Sequence, residues 1–357
     1  MSHIASRGRL ARLLLAGTLL TLPVAPQAGL IENTVGGVFR LLADISGAVT
    51  SPFGDLLVGV AQTINPRLAR AVVRIQGRYL TLVPGTAAFD VSFTHDGVAR
   101  RFVVIRPEPA YSNAPVLLML HGNGGTPENQ GNLSEAADLV AARGVWVVLP
   151  EGIDGNWNGD PANSTGVDDV GFITDTIGIL TGTFETDPAR TWISGLSMGA
   201  FMAERYACER SDLVAASALI SGTLTGGLSR ACTPAAPRPI LFMDGTADPI
   251  VPYNGGRIGV LSAPDAFNFW LTLHNCDAGA TSTVALPDTT NDGTTVSLTS
   301  NNGCGSGKQV RLYTIDQGGH AWPGGWQYLP VPVIGRTSTD IDATTEIWNF
   351  VSAYSLP

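Results

Sequence analysis

Thr191-Trp192-Ile193-Ser194-Gly195-Leu196-Ser197-Met198-Gly199-Ala200 reads as an apolar strand, a tight turn and the start of a helix. The two glycines of its G-x-S-x-G core permit a backbone reversal that pushes Ser197 into an exposed, strained conformation. The helix runs on through Glu209, and its N-terminus favours negative charge beside Ser197.

The sequence on either side alternates in the same way. Apolar strands are predicted at 116–121, 145–150, 191–195, 215–221, 240–244 and 310–315, with helices at 129–143, 167–180, 197–209 and 264–274 and a closing helix over 340–354. Continuous apolar strands spaced by amphipathic helices imply a mostly parallel sheet covered on both faces. Ahead of them, 89–94 and 98–106 flank the turn-forming His95-Asp96-Gly97 and predict an antiparallel hairpin. A hairpin leading into such a sheet makes the α/β-hydrolase fold the expected class, over residues 85–357. The Thr/Asn/Asp-rich stretch 279–307 is expected as a loop excursion or a short polar hairpin.

A serine hydroxyl needs a base to react near neutral pH. Of the five histidines, His3 falls in a leader-like stretch, His95 in the first hairpin turn, His121 at the head of a glycine loop and His274 beside Cys276. His320 stands in Gln317-Gly318-Gly319-His320-Ala321-Trp322-Pro323-Gly324-Gly325, just past a strand, and is the expected general base. In this fold the acid falls between serine and histidine in the chain. Asp248 lies beyond the end of strand 240–244, where its carboxylate can orient an imidazole; Asp244 is the competitor and is assigned to shaping the turn. The amides of Met198 and of Asn123, in His121-Gly122-Asn123-Gly124-Gly125, are expected to hold an oxyanion. Trp157 and Trp322 follow strand ends and are candidates for an aromatic wall around an acyl or aryl group, with core packing as the alternative. Asp168 and Asp169 begin a helix and are read as capping carboxylates.

The N-terminal region has a different character. Arg7, Arg9 and Arg12 precede an apolar run and then small residues, so 1–28 is expected as a cleaved export signal leading to a secreted or periplasmic protein. Residues 29–84 are expected as an apolar helical segment, because Val35, Val38, Leu42, Ile45 and Val49 recur at helical spacing and Leu56, Val60 and Ile64 continue the pattern. The segment is expected to pack on the main domain, with membrane contact as the rival. Cys208, Cys232, Cys276 and Cys304 make an even set that suits an oxidising compartment and allows three pairings. No C-x-x-C pair suggests a metal site, and no cofactor is expected. A net charge of −9 argues against nucleic acid as a partner.

His121-Gly122-Asn123-Gly124-Gly125, Val167-Asp168-Asp169-Val170-Gly171-Phe172-Ile173, Gly195-Leu196-Ser197-Met198-Gly199-Ala200, Asp244 to Tyr253 and Gly319-His320-Ala321-Trp322-Pro323-Gly324 together resemble the secreted polyhydroxybutyrate depolymerase/feruloyl esterase family over residues 85–354. The resemblance implies a serine ester hydrolase with Ser197 as nucleophile, Asp248 as orienting acid and His320 as base. It also implies disulfides Cys208–Cys232 and Cys276–Cys304. Asp244 departs from the family, whose members usually carry His there. The family's polymer-binding domain and Thr-rich linker do not follow the catalytic region, and residues 30–84 match no part of it. Expected substrates are polyesters or oligoesters, with feruloyl or acetyl esters of polysaccharide, or acyl transfer in the cell envelope, as alternatives. The protein is expected as a monomer.

Overall fold

A computed structural model describes residues 70–357. The strands β3 (Thr86–His95), β4 (Val98–Pro107), β5 (Val116–Leu120), β6 (Trp146–Pro150), β7 (Thr191–Leu196), β8 (Ser217–Ile220), β9 (Ile240–Gly245), β10 (Thr281–Ala285), β11 (Thr295–Asn301) and β12 (Val310–Asp316) share one sheet; β1 (Ala71–Ile75) and β2 (Arg78–Leu82) pair separately. In space the large sheet runs β10-β11-β12-β9-β8-β7-β5-β6-β4-β3. Its middle, from β12 to β6, is parallel, and an antiparallel hairpin flanks each edge.

Apolar side chains alternate between two cores. In β4 and β5, Phe102, Val104, Val116, Leu118 and Leu120 join one cluster, while Val103, Ile105, Leu117 and Met119 join the other. A strand buried on both faces must be apolar at every position, which is why these segments read as unbroken runs. The helices α1 (Pro127–Leu133), α2 (Ala136–Arg143), α3 (Asp169–Thr183), α4 (Met198–Glu209), α5 (Gly226–Ala231), α6 (Ala263–Leu273), α7 (Val331–Ile334) and α8 (Ala343–Val351) follow the strands. Side-chain caps start several of them, with Thr126, Asp168, Thr225, Ser262 and Asp342 accepting from amides of the first turn. The single helix expected over 129–143 is split at Ser134 and Glu135. Both the Ser134 amide and its hydroxyl donate to Gln130 O, and Glu135 takes a left-handed conformation with φ 47°.

One reading changes at the N-terminal side and another falls beyond what the structure describes. The expected apolar helices fall on 30–69, outside the described residues. Within the same segment, 70–84 is not helical: β1 and β2 form a hairpin through Gln76-Gly77, both at positive φ. Leu80 and Leu82 face inward while Tyr79 and Thr81 between them are only half-buried, a two-residue alternation that the helical reading passed over. Asn132 of α1 secures the hairpin, accepting from Thr81 N and donating to Tyr79 O, both at 2.8 Å. The polar stretch 279–307 forms the edge hairpin β10–β11. Cys276–Cys304 closes it, and Cys208–Cys232 joins the end of α4 to that of α5. Among the described residues no helix is long and apolar enough to cross a membrane.

Candidate active site

Ser197 stands between β7 and α4 at φ 57° and ψ −119°, a conformation that non-glycine residues rarely adopt. The surroundings enforce it. A Cβ on Gly195 would collide with the Gly199 carbonyl, and one on Gly199 would collide with the Leu120 carbonyl at the end of β5. Both elbow glycines are therefore required by close backbone approach.

The acid and the imidazole meet because β9 and β12 are parallel neighbours, with Gly245 opposite Ile315. The loops beyond these strands are laced together: Ala247 N donates to Gly318 O at 2.9 Å and Thr246 N to Ile315 O at 2.9 Å. That places His320 Nδ1 2.7 Å from Asp248 Oδ2. Asp248 Oδ1 accepts from the amides of Ile250 and Val251 at 2.7 and 2.8 Å, so the carboxylate is held at both oxygens. Residue exposures are 3% for His320, 8% for Asp248 and 9% for Ser197, so all three groups are buried. β8 connects the two halves of the site. Ile220 O accepts from Ser197 N at 2.8 Å, and the next residue, Ser221, donates through its hydroxyl to Ala321 O at 3.1 Å. Tyr328 donates to His320 O at 2.8 Å. Ser221 and Tyr328 thus position the histidine loop, and no local sequence signal marks either.

Asp244 occupies a different place. It is buried at the end of β9 and accepts from Gly222 N. Burial, reinforced by the Asp248 charge, pushes its carboxyl up to about 8. Glu204 of α4, buried beside the Trp270 indole that donates to it at 2.8 Å, is likewise pushed up to about 8 by burial, with Asp244 adding to the shift.

The glycine loop after β5 packs over the elbow, with Gly122 3.5 Å from Ser197 Cβ measured from an ideal Cβ position. Neither the Met198 nor the Asn123 amide has a hydrogen-bond partner among the described residues. The Asn123 side chain is engaged with Asn156 Oδ1 at 2.8 Å, and Met198 Sδ accepts from Trp157 N at 3.3 Å. His121 shapes this loop. Its ring lies 2.8 Å from Gly122 O through Nδ1 and accepts from Gly152 N through Nε2 at 3.0 Å, and burial holds its pKa below the ordinary value.

The aromatic wall is not formed by the expected residues. Trp157 is 3% exposed, lies near Phe172 in the core and donates its indole N–H to His121 O; Trp322 is 1% exposed and donates to Thr344 Oγ1. Each ring turns inward because apolar area and an internal acceptor are both available there. The exposed indole of this loop is Trp326. Asp168 caps α3 as expected, whereas Asp169 is buried in an ion pair with Arg100 at 2.7 Å.

No protein-family model matches the chain. It is 30% identical over 261 residues to feruloyl esterase B of Piromyces equi, a match covering 68% of this chain and 43% of that protein, so it spans less than half of that relative. It is 30% identical over 255 residues to "Putative esterase NocK" of Nocardia uniformis subsp. tsuyamanensis, covering 66% of this chain and 74% of that protein. Among solved structures, the acetyl xylan esterase from Aspergillus awamori superposes with a TM-score of 0.49 at 16% identity, over 66% of this chain and 94% of that one. The sheet and strand order of the present chain are those of an α/β-hydrolase, and with the Nocardia protein covered to this extent at this identity the chain belongs to the esterase family of that fold.

Proposed function

We propose that the protein is an exported serine carboxylic-ester hydrolase that works through an acyl-enzyme. The observation that carries this reading is the buried 2.7 Å contact of His320 with Asp248, on loops clasped to the strand end beside the strained Ser197. Ser197 Oγ attacks the ester carbonyl while His320 Nε2 takes its proton, and Asp248 fixes the imidazole by accepting from Nδ1–H. The carbonyl oxygen becomes an oxyanion between the Met198 and Asn123 amides. Collapse of the intermediate breaks the C–O bond, and His320 returns the proton to the leaving alkoxide. Water then repeats the sequence on the acyl-serine and releases the acid.

An apolar polyester or oligoester is the substrate that suits the rim. Ile250, Trp326 and Leu329 are exposed on the loops that carry Asp248 and His320, and Val331 and Val333 on the short α7 that follows. A second reading is feruloyl or acetyl esters of polysaccharide, and the name of the Piromyces relative favours the feruloyl case. The two disulfides suit an oxidising compartment, which fits export; the leader lies outside the described residues. Ser197→Ala should lower kcat on p-nitrophenyl butyrate by several orders of magnitude with an unchanged melting curve. It should also abolish labelling by a fluorophosphonate, and undiminished hydrolysis by this variant refutes the mechanism. Rates on amorphous polyhydroxybutyrate against methyl ferulate separate the two substrate readings.

A further inference from the structure

The geometry points to a second site, remote in the chain from the serine, that binds a zinc-class divalent cation between the β3–β4 turn and the first turns of α3. His95 ends β3, and its side chain is nine-tenths buried. Nδ1 lies 2.7 Å from Asp175 Oδ2, so in the neutral ring the proton sits on Nδ1 and the lone pair on Nε2. Nε2 is covered and has no hydrogen-bond partner. It faces Asp168 Oδ2 at 3.4 Å and Asp96 Oδ2 at 3.7 Å.

These separations are too long for hydrogen bonds, which lie at about 2.7–3.2 Å. They match two ligands that share one ion: a tetrahedral centre with bonds of about 2.0–2.1 Å sets its ligand atoms roughly 3.4 Å apart. The three ligand atoms all lie within 4.8 Å of one another. The donors are available. Asp168 uses Oδ1 for its cap on Gly171 N, leaving Oδ2 free to coordinate, and the Asp96 and Asp168 side chains are 75% and 52% exposed, so each can close by a small rotation. Gly171 is what lets the ring approach, since a Cβ there would stand 2.7 Å from His95 Cε1. Asp175 supplies the carboxylate behind a metal-bound imidazole that commonly orients such a ligand. Three carboxylates around one imidazole outweigh the partial positive charge of about 0.5 at the helix N-terminus. A bound ion would staple the tip of the β3–β4 hairpin to α3, with water as its fourth ligand. The other histidine–cysteine cluster, His274 with Cys276 and Cys304, offers no comparable set because its sulfurs are joined in a disulfide.

The test uses the whole protein after chelator treatment, titrated with Zn2+ by calorimetry and with Co2+ by visible absorption. Expected are one ion per chain, the intense bands of tetrahedral Co2+, and a melting midpoint that rises with Zn2+. His95→Gln and the exposed Asp96→Asn should each abolish the high-affinity step, and Asp175→Asn should weaken it about 10–100-fold. Asp96→Asn lies on an exposed turn and keeps the test valid if His95→Gln destabilises the fold. No stoichiometric binding, binding equal in wild type and both ligand variants, or melts indifferent to Zn2+ would overturn the site and leave His95 as a proton-binding imidazole among carboxylates.

Discussion

Asp244 and Asp248 are four residues apart and chemically alike, yet they occupy opposite environments. Asp248 faces His320 and two amides, so its charge is fully engaged; Asp244 lies under Gly222 with one oxygen lacking any partner, and burial favours its proton. Asp248→Asn is therefore expected to cut kcat by on the order of 10⁴, because the amide no longer selects the right tautomer. Asp244→Asn, which replaces one neutral group by another, should change kcat by less than about tenfold; steady-state kinetics on one soluble ester compares them. Comparable losses in the two variants would count against the assignment. Chain order admits both aspartates between serine and histidine; the position of Asp248 beyond the strand end is what favours it in the sequence, because a carboxylate there can reach the neighbouring loop. The burial of Trp157 and Trp322 could not be read in the same way, since an indole after a strand end turns inward or outward according to the acceptor it finds.

At the level of the element, the strand–turn–helix of Ser197 depends on contacts that its own sequence does not contain. The Gly199 constraint comes from Leu120 and His121 carbonyls on the neighbouring strand's end, whereas that on Gly195 comes from Gly199 itself. Glycine in α3 is another matter: Gly178 is exposed in the helix interior, and a Cβ there would meet nothing within 4 Å. Gly178→Ala is expected to stabilise the protein by about 0.5–1 kcal/mol, while Gly195→Ala should abolish soluble folding or lower the melting midpoint by many degrees. Urea and thermal unfolding measure both, and a Gly195→Ala protein as stable as wild type would contradict the packing described for the elbow. Strand segments were legible as apolar runs because both faces are buried. The β1–β2 hairpin was not, because its half-buried alternation over five residues per strand is short and was merged with the helical pattern before it.

For the molecule as a whole, buried ionisable groups set the pH dependence of stability. Asp244 and Glu204 keep their protons up to about 8, while the unfolded chain releases them near ~4. The native state thus binds more protons in that window, and its stability falls as pH rises from about 4 to 8. His274 is pushed down to about 4 by burial, with Lys308 adding to the shift, so its contribution runs the other way and is lost as pH falls below ~6.5. His95, despite its burial, is held above the ordinary imidazole value by Asp175 and Asp96 and adds to the fall at higher pH. Between about pH 6.5 and 8 the carboxyls therefore dominate. The urea midpoint should decline across that interval, and Asp244→Asn or Glu204→Gln should each flatten the decline; a wild-type midpoint that rises would contradict it. By itself the sequence determined the strand–helix alternation and the strand–turn–helix around Ser197, because periodicity and glycine spacing are local properties of the chain. Only the tertiary structure decided which carboxylate touches His320, which tryptophans turn inward, and that Asp168 and Asp175 meet His95, because each depends on strands and helices far apart in sequence becoming neighbours.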